Sequence, residues 1–310
     1  MCCLFGLIDY GNTLSHRRKT RLVQALAAVS EARGVDAAGI AYNSGGSLRI
    51  DKHPGPAHSC PFSIPRDARV IMGHTRMTTQ GSAQKSKNNH PFPGTVHGAP
   101  FALAHNGVLY NDRLLRRERH LPETDIETDS YIAVQLLEQA DCLSFDSLQA
   151  MAETVLGSFC FTVLDRKNHL YFVKGNNPLC LYHYPRQALY LYASTEAILQ
   201  QALKQRKIYE EPEIIPLTCG DLLCIDPRGA CSWGRFSTDQ FFFATPYYWP
   251  VDTIYSTFKQ RTAMNLEAEY RRELQNIAVW QGYDSSLIDT LLADGFTTDE
   301  IEDFLYCGEL

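Results

Sequence analysis

The sequence predicts an α+β domain in which two β-sheets pack together between layers of helix, with a small helical extension behind it. Three observations carry this. Short strand-like runs recur over the first 230 positions, separated by turn residues. Helical patterns stand at both ends and in the middle of that stretch, the element order of a layered α+β domain. Around Thr245–Pro250 the composition shifts, with Pro246 and Pro250 flanking Tyr247, Tyr248 and Trp249, and the strand signals stop. The expected division is a domain over 1–245 and a helical extension over 246–310.

The elements follow in order. Between Arg17 and Arg33, residues Leu22, Val23, Leu26, Ala27 and Val29 fall at helical spacing, and Gly34 can stop the helix. Strand-like runs come next at 39–42, 47–50 and 68–72, the first two joined through the turn signal Gly45-Gly46. Residues 77–100 are rich in Thr, Gly, Ser, Asn, Lys and Pro and read as one long loop, a feature that is often functional. Residues 101–105 are extended, and Asn106-Gly107 reads as a turn. Thr128 is expected to cap a helix through Ile132, Val134, Leu136 and Leu137, and a second helix fits 145–156. Strands are expected at 159–164, 170–173, 179–184 and 189–192, a helix near 195–203, and last strands at 214–217 and 222–225. In the extension, a charged helix fits 259–280 and two short ones fit 285–293 and 298–305, with a capping box at Thr297 and Glu300.

At 310 residues, with 45% hydrophobic and 21% charged residues, the chain can build a sizeable core. A net charge of −6 argues against a nucleic-acid partner. The densest basic cluster, Arg113 to Arg119, is broken by Leu114, Leu115 and Glu118 and reads as a solvated helix face. There is no apolar run of about 18 residues and no signal-peptide pattern, so no membrane association and a cytoplasmic location are expected. The ten cysteines are scattered without a Cys-x-x-Cys pair, and His53, His58 and Cys60 lack zinc-type spacing. Neither metal nor cofactor is expected.

The chain begins Met1-Cys2-Cys3. Removal of Met1 would leave Cys2 with an α-amine of pKa about 7.7–8.0 beside a thiol of about 8.5. Proton transfer between them is almost thermoneutral, which suits a nucleophile carrying its own base. Alone, the pair reads equally as the start of a buried strand. Downstream, Gly73-His74-Thr75-Arg76-Met77-Thr78-Thr79-Gln80-Gly81 closes a strand, Asn88-Asn89-His90-Pro91-Phe92 lies in the long loop, His105-Asn106-Gly107 follows the next strand, and Glu127-Thr128-Asp129-Ser130 opens a helix. A zwitterionic amino acid needs a cation for its carboxylate and an anion for its ammonium. Arg76 offers a planar fork and Asp129 the opposite charge.

Together these stretches resemble the class II glutamine amidotransferases, N-terminal-nucleophile hydrolases that begin with Cys. Arg33-Gly34-Val35-Asp36-Ala37-Ala38-Gly39-Ile40, Tyr192-Ala193-Ser194-Thr195-Glu196 and Cys219-Gly220-Asp221 are similar to further landmarks of that family, over about residues 2–230. The resemblance implies a four-layer αββα sandwich, L-glutamine as substrate and Cys2 as nucleophile. It implies an oxyanion site from the Asn106 side chain and the Gly107 N–H, and a substrate clamp from Arg76 and Asp129. Thr79 and Gln80 fall where the family lines the glutamine pocket. His74, His90 and His105 have no catalytic role in that scheme and are expected to be structural.

Two departures stand out. Cys3 occupies a position that is usually Gly, and strand alternation turns it away from the site. The family's synthetases also carry a second domain that uses the ammonia, whereas only about 60–65 helical residues follow here. The expected function is a stand-alone glutaminase subunit supplying a separate synthase, with the extension and the aromatic stretch at 247–249 as docking surface or lid. Hydrolysis of another γ-glutamyl amide and non-catalytic glutamine sensing are the alternatives.

Overall fold

The computed structural model describes residues 2–242 and, further on, 271, 274–275, 278, 283–284 and 286–307. The chain divides into two units, 1–242 and 243–310. The first unit contains two antiparallel sheets. One has the order β11-β9-β10-β1-β4-β2-β3, formed by β1 (Cys3–Asp9), β2 (Ala37–Ser44), β3 (Ser47–Pro54), β4 (Val70–Arg76), β9 (Cys180–Tyr184), β10 (Leu189–Ala193) and β11 (Glu213–Ile215). The other has the order β13-β12-β8-β7-β6-β5, from β5 (Phe92–Val96), β6 (Ala99–Leu109), β7 (Gly157–Asp165), β8 (Leu170–Lys174), β12 (Asp221–Ile225) and β13 (Cys231–Arg235).

Three apolar clusters define four layers. Phe5, Leu7, Ile40 and Ile71 on the first sheet pack with α1 (His16–Val29) and α5 (Glu196–Gln205). Leu4, Ile8, Met72, Ala102, Ala104 and Phe172 fill the space between the sheets. Phe101, Leu103, Phe159 and Phe161 on the second sheet pack with α3 (Tyr131–Ala140) and α4 (Phe145–Thr154). Alternate residues of β1 therefore serve different cores, as the period of a strand requires. Cys3 is fully buried in the outer cluster, so the opposite parity points Cys2 toward the space between the sheets.

Several expectations need correction. The stretch 77–100 is not one loop, because Phe92–Val96 forms β5, an edge strand with Phe92, Gly94 and Val96 buried and Pro93 and Thr95 exposed. An edge position tolerates Pro93, which obscured the alternation. Asn106-Gly107 is no turn and lies within β6, paired with Cys160 and Phe159 of β7. Thr128 does not cap α3 with its side chain. The helix is entered by tight main-chain bonds from Tyr131, Ile132 and Ala133 to the carbonyls three residues earlier, and Ser130 spends its hydroxyl elsewhere. β13 carried no expectation at all.

In the second unit, helices Leu287–Ala293 and Thr298–Cys307 are present. Thr297 and Glu300 exchange the two bonds of a capping box, at 2.8 and 3.3 Å. The expected helix at 259–280 and the aromatic stretch at 247–249 lie largely or wholly outside the described residues. Among the described residues no helix is long and apolar enough to cross a membrane.

Candidate active site

Three central strands bring the candidate residues together. β1 and β4 pair with Cys3 opposite Thr75 and Leu4 opposite His74, so Cys2 lies in line with Arg76 at the end of β4. The Cys2 carbonyl accepts from Nε of the fully buried Arg33 at 3.0 Å, and Sγ lies 3.6 Å from the Met77 carbonyl. The Arg33–Asp36 segment brackets the end of β4. Asp36 N–H donates to the Arg76 carbonyl at 2.9 Å, and Asp36 Oδ2 accepts from Thr78 N–H at 2.7 Å. A Cβ on Gly34 would sit 2.4 Å from the Arg76 carbonyl carbon, so this approach requires glycine.

Arg76 is 3% exposed. It donates to Asn89 Oδ1 at 2.7 Å and to the carbonyls of Gln80 and Gly81. These bonds hold its plane while leaving part of its five-donor fork for another acceptor. Burial lowers its pKa, opposed by the nearby negative groups of Cys2, Asp36, Asp129 and Glu127. The thiol, the guanidinium and the Asp129 carboxylate thus occupy one electrostatic neighbourhood.

β6 supplies the other half. Asn106 is fully buried, and both polar atoms of its side chain lack a hydrogen-bond partner. A buried amide left unpaired is costly, which marks these atoms as reserved for something outside the chain. Its main chain is fixed, since the carbonyl accepts from Asn177 Nδ2 at 2.8 Å. Gly107 has φ +140°, and a Cβ there would lie 2.0 Å from the Ser158 carbonyl oxygen. Any side chain would break the strand at this point. Two residues on, Leu109 N–H donates to Asp129 Oδ2 at 2.6 Å. Burial pushes the Asp129 carboxyl up to about 6, with Asp112 adding to the rise, against the Leu109 and Ser130 N–H groups.

Gln80 is half-buried and meets Arg76 through its carbonyl, whereas Thr79 is exposed and its side chain makes no hydrogen bond. The loop carrying them is fastened by residues to which the sequence assigned no role. Glu127 Oε2 accepts from Ser82 N–H at 3.2 Å and Asn88 Nδ2 at 2.8 Å, Asn88 Oδ1 accepts from Glu127 N–H at 2.9 Å, and Lys85 pairs with Glu127. Asn89 Nδ2 donates to the Ala83 carbonyl at 2.7 Å. The motif Asn88-Asn89 was visible as a cluster of amides, yet only the fold shows what each amide holds.

Behind these residues lie three buried imidazoles. His74 and His90 rings are 4.1 Å apart, and His105 stacks on Phe161 at 4.6 Å. His105 Nε2–H donates to the Ser158 carbonyl at 3.3 Å, so its Nδ1 accepts from Ser130 Oγ at 2.8 Å. Burial lowers His74 and His105 to about 3 and His90 well below its ordinary value. All three are neutral at physiological pH. His74 and His105 each bond a main-chain carbonyl, while both nitrogens of His90 are buried without a partner among the described residues. Elsewhere, His53 pairs with Asp51 and His58 with Glu31.

Comparison with known proteins decides the family. Residues 74–201 match the family described as a glutamine amidotransferase domain. The chain carries a glutamine amidotransferase domain of the class II type. Over 157 residues this amidotransferase chain is 33% identical to a glutamine–fructose-6-phosphate aminotransferase (isomerizing) of Bacillus cereus, covering 48% of the chain and 26% of that protein. Over 238 residues it is 29% identical to the enzyme of that name from Staphylococcus aureus, covering 74% of the chain and 38% of that protein. The chain thus spans about a quarter to two-fifths of the curated relatives it matches.

Among solved structures, the glutamine phosphoribosylpyrophosphate amidotransferase of B. subtilis superposes with a TM-score of 0.60 at 19% identity, covering 76% of this chain and 49% of that one. A structure described as the allosteric regulatory enzyme of purine biosynthesis gives 0.62 at 19% identity, with the same coverage. These likenesses agree with the αββα amidotransferase sandwich.

Proposed function

We propose that this amidotransferase hydrolyses glutamine with Cys2 as nucleophile. The observation that supports it best is the burial of Arg76 in one electrostatic neighbourhood with the Cys2 thiol and the Asp129 carboxylate. The Arg76 fork takes the substrate α-carboxylate, and Asp129 takes the α-ammonium. Removal of Met1 frees the Cys2 amine, which accepts the thiol proton as Sγ attacks the side-chain carbonyl carbon. The negative charge on the carbonyl oxygen is met by Asn106 Nδ2 and the Gly107 N–H, donors of a kind worth about 3–4 kcal/mol. The C–N bond breaks, the amine returns its proton to the leaving nitrogen, and ammonia departs. Water then cleaves the thioester to glutamate and restores the thiol.

The ammonia passes to a synthase, a reading supported by the names of the relatives, which are glutamine–fructose-6-phosphate aminotransferases. Glutaminase turnover measured for the wild type and for Cys2→Ala tests the nucleophile, with mass spectrometry fixing whether Met1 is gone. Activity is expected only in the wild type with residue 2 exposed, and equal turnover by both proteins rejects the assignment. Affinity capture with the full chain, followed by ammonia-dependent product formation, tests the transfer.

A further inference from the structure

The start of α1 and the end of α5 enclose a cavity of about 260 Å³ at the far end of β1 from Cys2. Cys3 and Asp9 bound that strand, so the two places are roughly 20 Å apart at 3.3 Å per residue. The cavity is lined by four cationic side chains, Arg18, Arg21, Arg206 and Lys207. None of them forms an ion pair among the described residues, although the whole chain carries a net charge of −6. Among the described residues, two carboxylates bond to lining residues: Glu210 accepts from Gln187 Nε2 at 2.6 Å, and Asp9, already paired with Lys19, accepts from the Leu14 N–H.

Local electrostatics disfavour this arrangement. α1 has no acidic residue in its first turn and opens with His16, Arg17, Arg18, Lys19 and Arg21 at the positive end of its dipole. Lys19 is compensated, because it is buried against Asp9 at 3.1 Å. Among the described residues, Arg18 and Arg21 have no such counter-ion. A local rule broken without compensation among the described residues points to a compensating group beyond them.

The walls are fixed. Asp9 Oδ2 accepts from Leu14 N–H at 3.1 Å, and Thr13 Oγ1 donates to the Gln187 carbonyl at 2.8 Å. Beneath the cations lie Leu14, Leu22, Leu189 and Ile208, so the cavity offers apolar surface as well as charge. α2 (Asp112–Glu118) makes a useful contrast. Its Arg113 and Arg117 are also exposed without an ion pair among the described residues, but they line neither this cavity nor the one between His120 and Gln139.

We propose that the cavity binds a small organic phosphate. Its phosphate is held by Arg18, Arg21, Arg206 and Lys207, whose guanidinium forks match phosphate oxygens, and its carbon skeleton rests on the four aliphatic side chains. The volume lies just below the range of about 300–1,000 Å³ usual for drug-sized ligands, which favours a compact monoester over a polymer. The inference is independent of the glutaminase reading.

Calorimetric titration of the full chain with phenyl phosphate, phenol and inorganic phosphate, in salt of about 0.15 M, tests it. Saturable binding of phenyl phosphate is expected, at least tenfold tighter than inorganic phosphate and absent for phenol. The pair Arg21→Gln/Arg206→Gln is expected to weaken it tenfold or more, with Arg21→Glu/Arg206→Glu abolishing it, while Arg113→Gln/Arg117→Gln leaves it unchanged. Circular dichroism confirms that each variant folds, and the neutral pair carries the test if charge reversal does not. Equal weakening by both neutral pairs, equal binding of phosphate and phenyl phosphate, or no binding overturns the proposal. So does affinity confined to phosphatidylglycerol vesicles, which would make the patch a membrane-facing surface.

Discussion

His74 Nε2–H donates to the main-chain carbonyl of His105 at 2.9 Å, tying β4 of one sheet to β6 of the other. Arg76 lies two residues beyond the donor, and Asn106 lies next to the acceptor. One side chain therefore fixes the distance between the two halves of the candidate site. Replacing it with Leu strands a buried carbonyl, at a cost of about 1–3 kcal/mol. We expect His74→Leu to lower the melting temperature and to reduce kcat for glutamine more than it raises KM. His74→Gln keeps an N–H donor and should recover part of the kcat. Thermal denaturation with steady-state kinetics of both variants checks this. A stability loss in His74→Leu with kcat intact would make the bond purely structural.

Stability should fall steeply on the acid side. His74, His90 and His105 have folded pKa values depressed below the unfolded value of about 6.5. Above that pH both states hold them neutral, and below it only the unfolded chain takes up protons. Their contribution is thus complete above about pH 6.5 and is lost as pH falls toward their folded values. Each proton is worth about 1.4 kcal/mol per pH unit, so the cluster adds up to about 4. Denaturant titrations between pH 7 and pH 5 measure the slope. A flat profile over that range contradicts the burial of the cluster.

How much of this was legible depends on the reach of each interaction. Cys2, Arg76 and Asp129 are of residue types whose reactivity and charge the sequence displays, and the fold places them in one neighbourhood. The alternation of β1 correctly separated Cys2 from Cys3. Asn106-Gly107 misled because a turn and a kinked strand use the same residues. What distinguishes them is Ser158 on β7, about fifty positions away, whose carbonyl occupies the space of a Cβ on Gly107. Asn177 and Glu127 were invisible for the same reason, since their bonds reach Asn106 and Ser82 across 71 and 45 residues. Local pattern reports on neighbours in sequence, and these partners are neighbours only in the fold.

Asp129 exchanges stability for charge. Its folded pKa of about 6 lies above the ordinary 3.8, so between those values the folded state holds more protons than the unfolded one. Stability therefore falls as pH rises through that window. We expect Asp129→Asn to raise the melting temperature at pH 7.5, since Asn Oδ1 can still accept from Leu109 N–H. The gain should vanish below about pH 4, where the wild-type carboxyl is neutral in both states. The same variant should lose glutamine binding, because no anion then faces the ammonium. Wild-type KM should rise as pH drops through about 6 for that reason. Melting curves at both pH values and a KM profile test the pair of statements, and a variant less stable at pH 7.5 would count against them.

Glu127 connects two parts of the site that the chain keeps apart. It stands two residues before Asp129 and grips the loop through Ser82 N–H, Asn88 Nδ2 and Lys85. That loop returns the Gln80 and Gly81 carbonyls to Arg76. Loosening Glu127 should free the carbonyls and then the guanidinium plane, without touching Cys2 or Asn106. Hydrogen bonds chiefly from Lys85, Ser82 and Asn88 hold the Glu127 carboxyl at about 2, so it stays charged across the working range and the effect should not vary with pH near neutrality. We expect Glu127→Ala to raise KM for glutamine several-fold with kcat nearly unchanged, and Glu127→Gln, which keeps an acceptor but loses the Lys85 pair, to fall between. Steady-state kinetics at low and high salt separates the two contributions, since only the ion pair is screened. A fall in kcat at constant KM would place Glu127 in the chemistry rather than in the clamp.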